Sequence, residues 1–220
     1  MLKSVIWASM LDYPGKVCTS LFFEGCNFTC EYCQNKDISK AKTINFEKEI
    51  LPKLIERKDF VSHIILSGGE CTISSNIQQI VDILYENGFH IGIHTNGYRP
   101  DFLEKNKDKI SYIGMDFKTS FKKYDLIAGR KVDIEKIKES VEYIINNVPE
   151  YEFRTTVYPK FVDENDCIDI AKYLSEKNAK KYVLQQYKRV DGVAVIPFAP
   201  EKLEEIKNEC NKYIKTDLRI

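Results

Sequence analysis

The 220-residue chain carries no surplus of charge of either sign: Lys plus Arg and Asp plus Glu number 33 each. Without a net positive field nothing draws it onto nucleic acid or an anionic membrane, and neither is expected as a partner. No apolar run approaches the ~20 residues of a membrane span, and the opening Met1-Leu2-Lys3-Ser4-Val5-Ile6-Trp7 lacks the apolar core and small-residue cleavage site of a signal peptide. The chain therefore reads as cytoplasmic. No stretch rich in Pro, Gly or Ser divides it, so one domain over residues 1–220 is expected. A chain of this length buries enough surface to fold without disulfide staples. Its seven cysteines, an odd number in a reducing compartment, point instead to free thiols, metal ligation or catalysis.

Short apolar runs at residues 17–23, 63–67, 90–95, 111–117, 152–158 and 181–186 alternate with segments of helical period, the pattern of strand-helix units around a parallel sheet. Ile77, Ile80, Val81 and Leu84 mark a helix that Asn87-Gly88 stops. Ile134, Ile137, Val141, Ile144 and Val148 mark a second behind Asp133 as N-cap, and Ile168, Ala171 and Leu174 a third. Residues 46–57 have helical composition, with Pro52 expected to kink or interrupt them. A last helix starts near Pro200 with Leu203, Ile206, Cys210 and Ile214 on one face. Six parallel strands give either an open doubly wound sheet or an incomplete barrel, and periodicity does not choose between them. In both, ligands bind at the carboxyl ends of the strands.

Just after the first run, Cys26, Cys30 and Cys33 stand in Cys-x3-Cys-x2-Cys spacing. Three soft thiolates suit an iron-sulfur cluster or zinc. A structural zinc would take a fourth protein ligand, which Cys18, Cys71, His63 or His94 could supply. The residues alone leave both open.

This spacing, with an aromatic residue (Tyr32) before the last cysteine, resembles the signature of the radical S-adenosylmethionine superfamily. The resemblance implies a partial (β/α)6 TIM-like barrel of parallel strands and one 4Fe-4S cluster, three irons held by Cys26, Cys30 and Cys33 and the fourth chelated by the amino and carboxylate groups of S-adenosylmethionine. It also implies the chemistry: the reduced cluster gives one electron to the sulfonium, the bond to the 5′ carbon breaks, and the 5′-deoxyadenosyl radical abstracts a hydrogen atom. Catalysis is then carried by cluster and cofactor, with no catalytic side chain assigned.

Further segments carry the same resemblance. Ser67-Gly68-Gly69-Glu70 is similar to the family's Gly-Gly-Glu segment, which receives the methionine amino group; by itself it reads equally as a strand-to-helix turn. His94-Thr95-Asn96-Gly97 and Asp116-Phe117-Lys118 resemble the Thr-Asn-Gly and Asp-x-Lys segments of glycyl-radical activating enzymes, which puts Thr95, Asn96, Asp116 and Lys118 at the cofactor. Asp116 and Lys118 share one side of an extended strand, where they suit a common ligand or a surface ion pair. Phe153-Arg154-Thr155-Thr156-Val157 resembles the strand that contacts S-adenosylmethionine through Arg154 and Thr156; a guanidinium in an apolar strand needs an anionic or acceptor partner, which a cofactor carboxylate or ribose would provide. Val183-Leu184-Gln185-Gln186-Tyr187 is similar to the closing strand of anaerobic ribonucleotide reductase activating proteins and puts Gln186 near the adenosine. Asp12-Tyr13-Pro14-Gly15-Lys16, by itself a Pro-Gly turn, resembles the opening turn of these enzymes.

The resemblance thus spans Asp12 to Tyr187. It implies an enzyme that installs a glycyl radical on a partner, most simply an anaerobic ribonucleoside-triphosphate reductase, with a flavodoxin or ferredoxin as electron donor. Two other classes compete: a radical S-adenosylmethionine enzyme acting on a small molecule, of the 7-carboxy-7-deazaguanine synthase type, and a non-catalytic zinc or iron-sulfur binding protein. The chain departs from the family at Cys71, where a proline is usual, at His94, where relatives carry an acid, and at Gln34, where a histidine is common. His94 puts a monovalent-cation site in doubt, and Cys71 reads as a small apolar filler. Cys18, Cys167 and Cys210 fall on apolar faces as core residues. No second group of cysteines is close enough for an auxiliary cluster. His63 and His90 begin strands, at the end of the sheet away from the cysteines.

Overall fold

The computed structural model describes residues 1–220. Its frame is one eight-stranded sheet: β1 (Leu2–Ser9), β2 (Cys18–Phe23), β3 (His63–Gly68), β4 (His90–Thr95), β5 (Ile110–Asp116), β6 (Glu150–Val157), β7 (Tyr182–Gln186) and β8 (Thr216–Arg219). β1 pairs antiparallel with β2, and every later neighbour is parallel. Spatial order follows chain order without a reversal. A doubly wound sheet reverses its order at a switch point, so this topology is the barrel type, in which right-handed crossovers put the helices on one face. β1 and β8 are not paired with each other, and the barrel stays open.

Between the strands lie α1 (Leu51–Arg57), α2 (Ile77–Glu86), α3 (Pro100–Lys105), α4 (Tyr124–Ala128), α5 (Ile134–Asn147), α6 (Glu164–Glu176) and α7 (Pro200–Cys210). Ile77, Ile80, Val81 and Leu84 of α2 are buried as their spacing predicts, and Gly88 at φ +69° ends the helix. Asp133 caps α5 by accepting from the Glu135 amide. In α6 the buried face runs through Cys167, Ile170, Ala171 and Leu174, with Ile168 half-buried beside it. Pro52 does not break its helix. A π-helical turn over Phe46–Ile50 precedes α1, and this wider turn accommodates a ring that has no N–H to donate and would clash with an α-helical carbonyl four residues back.

The two faces of the sheet differ in chemistry. Ile64, Leu66, Ile91, Ile93, Ile113, Met115, Phe153 and Leu184 join the helices in one large core. The inner face carries only a small apolar group, Tyr13, Cys18, Ile65 and Tyr112, beside Ser20, His94, Asp116, Glu152 and Arg154. Tyr13 comes from the β1–β2 turn, where Gly15 takes φ +73°, and its ring stacks on Tyr112 at 4.6 Å. His63 and His90 stack at 4.7 Å at the amino ends of β3 and β4. Six strands were legible; β1 and β8 were not. Both are edges, and β8 is four residues, three of them polar, held by pairing with β7 and by Arg219, which reaches across to both oxygens of Glu152 at 2.6 and 2.7 Å.

Candidate functional site

The cysteine loop leaves the carboxyl end of β2 and is tied to its neighbours by the main chain. The Gly69 amide donates to Phe23 O at 2.7 Å, the Glu70 amide to Gly25 O at 2.8 Å and the Thr29 amide to Ala128 O at 2.8 Å, while Asn35 Nδ2 donates to Gly68 O at 2.5 Å. β3, α4 and the loop therefore form one rim. The close approach requires glycine at both positions: a Cβ on Gly69 would lie 2.0 Å from Gly25 O, and one on Gly68, at φ +107°, 2.4 Å from the Phe23 backbone.

Of the three thiols, Cys30 is buried, Cys33 half-buried and Cys26 in an exposed residue. Even so, loss of water around the Cys26 sulfur pushes its pKa up to about 11, against the Phe28 amide that donates to it at 3.4 Å. Burial raises Cys30 as well, opposed by Lys118. Such thiols are protonated at neutral pH, and ligation must displace their protons.

A closed zinc site does not fit these residues. No three His, Cys, Asp or Glu side chains converge as a single ion requires, and the four candidate fourth ligands are elsewhere or engaged. Cys18 and His63 sit at the amino ends of β2 and β3. Cys71 is buried, its thiol 3.5 Å from the Leu66 and His94 carbonyls. His94 spends Nε2 on Asp12 O at 2.8 Å and Nδ1 on Ser67 Oγ at 3.4 Å. A cubane, which spaces its ligands more widely than one ion and leaves an iron open, suits three thiols on one loop. Tyr32 Oη, Tyr158 Oη and Asn27 Nδ2 are buried without a partner beside that loop, as polar groups awaiting a ligand would be.

Glu70 is 1% exposed, and its carboxylate is already engaged. Oε1 accepts from Thr72 Oγ1 at 2.6 Å, Thr95 Oγ1 at 2.8 Å and the Thr72 amide at 3.3 Å; Oε2 accepts from the Asn96 amide at 2.7 Å. Burial raises its pKa against these bonds. Oε2 accepts this one bond and keeps a second lone pair. Arg154, 6% exposed, finds its anionic partner inside the protein: Nε and NH2 lie 3.0 and 2.9 Å from Asp116 Oδ1, and NH2 also donates to Gly114 O. Lys118 Nζ takes Asp116 Oδ2 at 2.9 Å. The pair foreseen on β5 is thus a partly buried triad. Burial works against the Asp116 charge, but Arg154 and Lys118 outweigh it and hold the carboxyl well below its usual range. The triad leaves a net positive charge on the rim, with Lys118 Nζ 5.9 Å from the Tyr32 ring centre. Thr156 is half-buried two residues beyond Arg154, on the same side of β6. Gln186 donates to Phe198 O at 3.1 Å, which ties it to the loop before α7.

Sequence reasoning assigned no role to Asp12 or Asn27. Asp12 lies behind an ordinary Pro-Gly turn, yet accepts from Ser20 Oγ at 2.6 Å and, through its carbonyl, from His94. Burial and Arg154 push His94 down to about 4, against Asp116 and Asp12, so the ring is neutral at pH 7. A folded-state value below the unfolded ~6.5 means that the stability present above pH 6.5 is lost as pH falls toward 4, up to about 3 kcal/mol. His94→Gln is expected to flatten this loss, read as a smaller drop in thermal midpoint between pH 7 and pH 5 than the parent shows.

A family model described as the radical SAM superfamily matches residues 20–174. A Methanocaldococcus jannaschii protein whose name places it among glycyl-radical enzyme activating enzymes is 34% identical over 231 aligned residues, covering 97% of this chain and 93% of that one. The pyruvate formate-lyase-activating enzyme of Clostridium pasteurianum is 26% identical over 90% of this chain and 81% of its own. In fold, the crystal structure of a radical SAM methyltransferase from Sphaerobacter thermophilus superposes with a TM-score of 0.72 at 14% identity, over 94% of this chain and 67% of that one. Radical SAM enzymes use a 4Fe-4S cluster and S-adenosylmethionine. With a motif, a topology and a near full-length relative in agreement, the chain belongs to the radical SAM superfamily and, within it, to the glycyl-radical enzyme activating enzymes.

Proposed function

We propose that this protein installs a glycyl radical on an anaerobic ribonucleoside-triphosphate reductase, working in the cytoplasm as a single radical SAM domain over residues 1–220 with electrons from a flavodoxin or ferredoxin. Cys26, Cys30 and Cys33 hold the cluster. Bound there, the cluster would supply the one electron needed for reductive cleavage of S-adenosylmethionine, chemistry that would end in removal of a hydrogen atom from the partner's glycine Cα.

The chain's own residues bind and orient. Oε2 of Glu70 and the glycine backbone at Gly68 and Gly69 face the methionine amino group, and the positive rim of Lys118 and Arg154 around Asp116 faces its carboxylate. Tyr32, Thr95, Asn96, Thr156 and Gln186 border the nucleoside. The observation that carries this reading is the loop itself: three thiols on one short segment, the candidate fourth ligands distant or engaged elsewhere, and unpartnered polar atoms at Tyr32, Tyr158 and Asn27. The open edge between β1 and β8 supports a macromolecular substrate, since a partner's loop can enter laterally. The choice of reductase is supported by the Asp12-to-Gly15, Arg154-to-Val157 and Leu184-to-Gln186 segments. Anaerobic incubation of the iron-loaded, reduced protein with S-adenosylmethionine and the reductase is expected to give a glycyl doublet by electron paramagnetic resonance. A doublet only with another glycyl-radical protein would reassign the partner, and 5′-deoxyadenosine formed only with a small-molecule substrate would overturn the class.

A further inference from the structure

Cys26 differs from the other two cysteines in having a side-chain amide near its sulfur. Asn96, at the end of β4 and 4% exposed, donates from Nδ2 to Asn27 Oδ1 at 2.7 Å and stands 3.9 Å from Cys26 Sγ. It is held from the other side: its own amide is bonded to Glu70 Oε2 at 2.7 Å, and its Oδ1 accepts from the Tyr98 amide at 3.0 Å. Glu70 is itself fixed by Thr72 and Thr95, and its amide donates to Gly25 O, the residue before Cys26. A closed circuit results, from Gly25 through Glu70 to Asn96 and back through Asn27 to Cys26.

We propose that Asn96 is a positioning residue that acts through Asn27 and Cys26, and that its amide tunes the reduction potential of the group bound at Cys26. This rests on the reading that Cys26 is a cluster ligand. An N–H directed at a ligand sulfur draws electron density from it and favours the reduced, more negative cluster. At 3.9 Å the sulfur contact is weak alone; the 2.7 Å bond to Asn27 holds the amide in place beside the sulfur.

The test is a redox titration followed by electron paramagnetic resonance on iron-loaded wild type, Asn96→Ala and Asn27→Ala. Asn96→Ala is expected to move the midpoint to a more negative potential, and Asn27→Ala to move it in the same direction by less, because the amide remains but is no longer aimed. Iron content and thermal midpoint are read in parallel. Asn27 is only half-buried, so its variant keeps the test open should Asn96→Ala fail to fold. An unchanged midpoint in either folded, iron-loaded variant contradicts the tuning role and leaves Asn96 a turn-former. If wild type itself loads no iron, or Cys26→Ala loads as much as wild type, the cluster assignment fails instead, and the two failures are distinguishable.

Discussion

Replacing any one of Cys26, Cys30 or Cys33 with alanine is expected to lower iron from about four atoms per chain to less than about one, and to cut cleavage of S-adenosylmethionine at least about a thousandfold. The magnitude follows from the absence of a spare ligand. Cys18 is at the far end of β2, Cys71 faces the core, and Cys167 and Cys210 lie between α6 and α7, so no other thiol can reach the loop. Two cysteines then have to hold a cluster built for three. Alanine at Cys167 or Cys210, both buried, removes one small apolar group and is expected to cost about 1 kcal/mol of stability with iron content retained. Iron assays on the five variants separate a ligand set from general damage to the fold, and an alanine at Cys30 that loads normally would remove that residue from the set.

The second large effect is expected at Gly69. An alanine Cβ there would lie 2.0 Å from Gly25 O and 2.7 Å from Gly25 C, backbone atoms of the cysteine loop rather than the end of a flexible side chain. Relief requires β3 and the loop to separate, which breaks the Glu70 amide bond to Gly25 and the Gly69 amide bond to Phe23. Gly69→Ala is expected to cost more than about 3 kcal/mol and to abolish iron loading. Gly15→Ala isolates the other reason for a glycine. With φ +73° and nothing within 4 Å, it meets only the left-handed penalty of about 1–2 kcal/mol. Denaturant unfolding of the two variants compares them directly, and equal losses would contradict the packing explanation.

The comparison of these glycines also shows what a sequence conveys. Strand-helix alternation was legible because the helix-facing positions are apolar with clean periods, as at Ile64 and Leu66 or Ile137, Val141 and Ile144. β8 was not, because Thr216, Asp217 and Arg219 carry no apolar run and gain their place from pairing with β7 and from Glu152. At the site, the cysteine spacing named the loop, but the partners of polar residues depend on which strands become neighbours. Arg154 found Asp116 across the β5–β6 register, and Glu70 found Asn96 across the β3–β4 rim. His94 met Asp12, 82 positions away, for the same reason. Such pairings are consequences of topology, invisible until the strand order is known.

On the proposed function, Cys26, Cys30 and Cys33 hold a cluster that keeps one iron with a free coordination place. The direct measurement is the electron paramagnetic resonance spectrum of the anaerobically purified, reduced protein before and after addition of S-adenosylmethionine. A cluster signal whose g-values change on addition is the predicted result, because the cofactor then occupies that place. A spectrum unmoved by S-adenosylmethionine, or a protein that carries zinc and gives no signal, contradicts it.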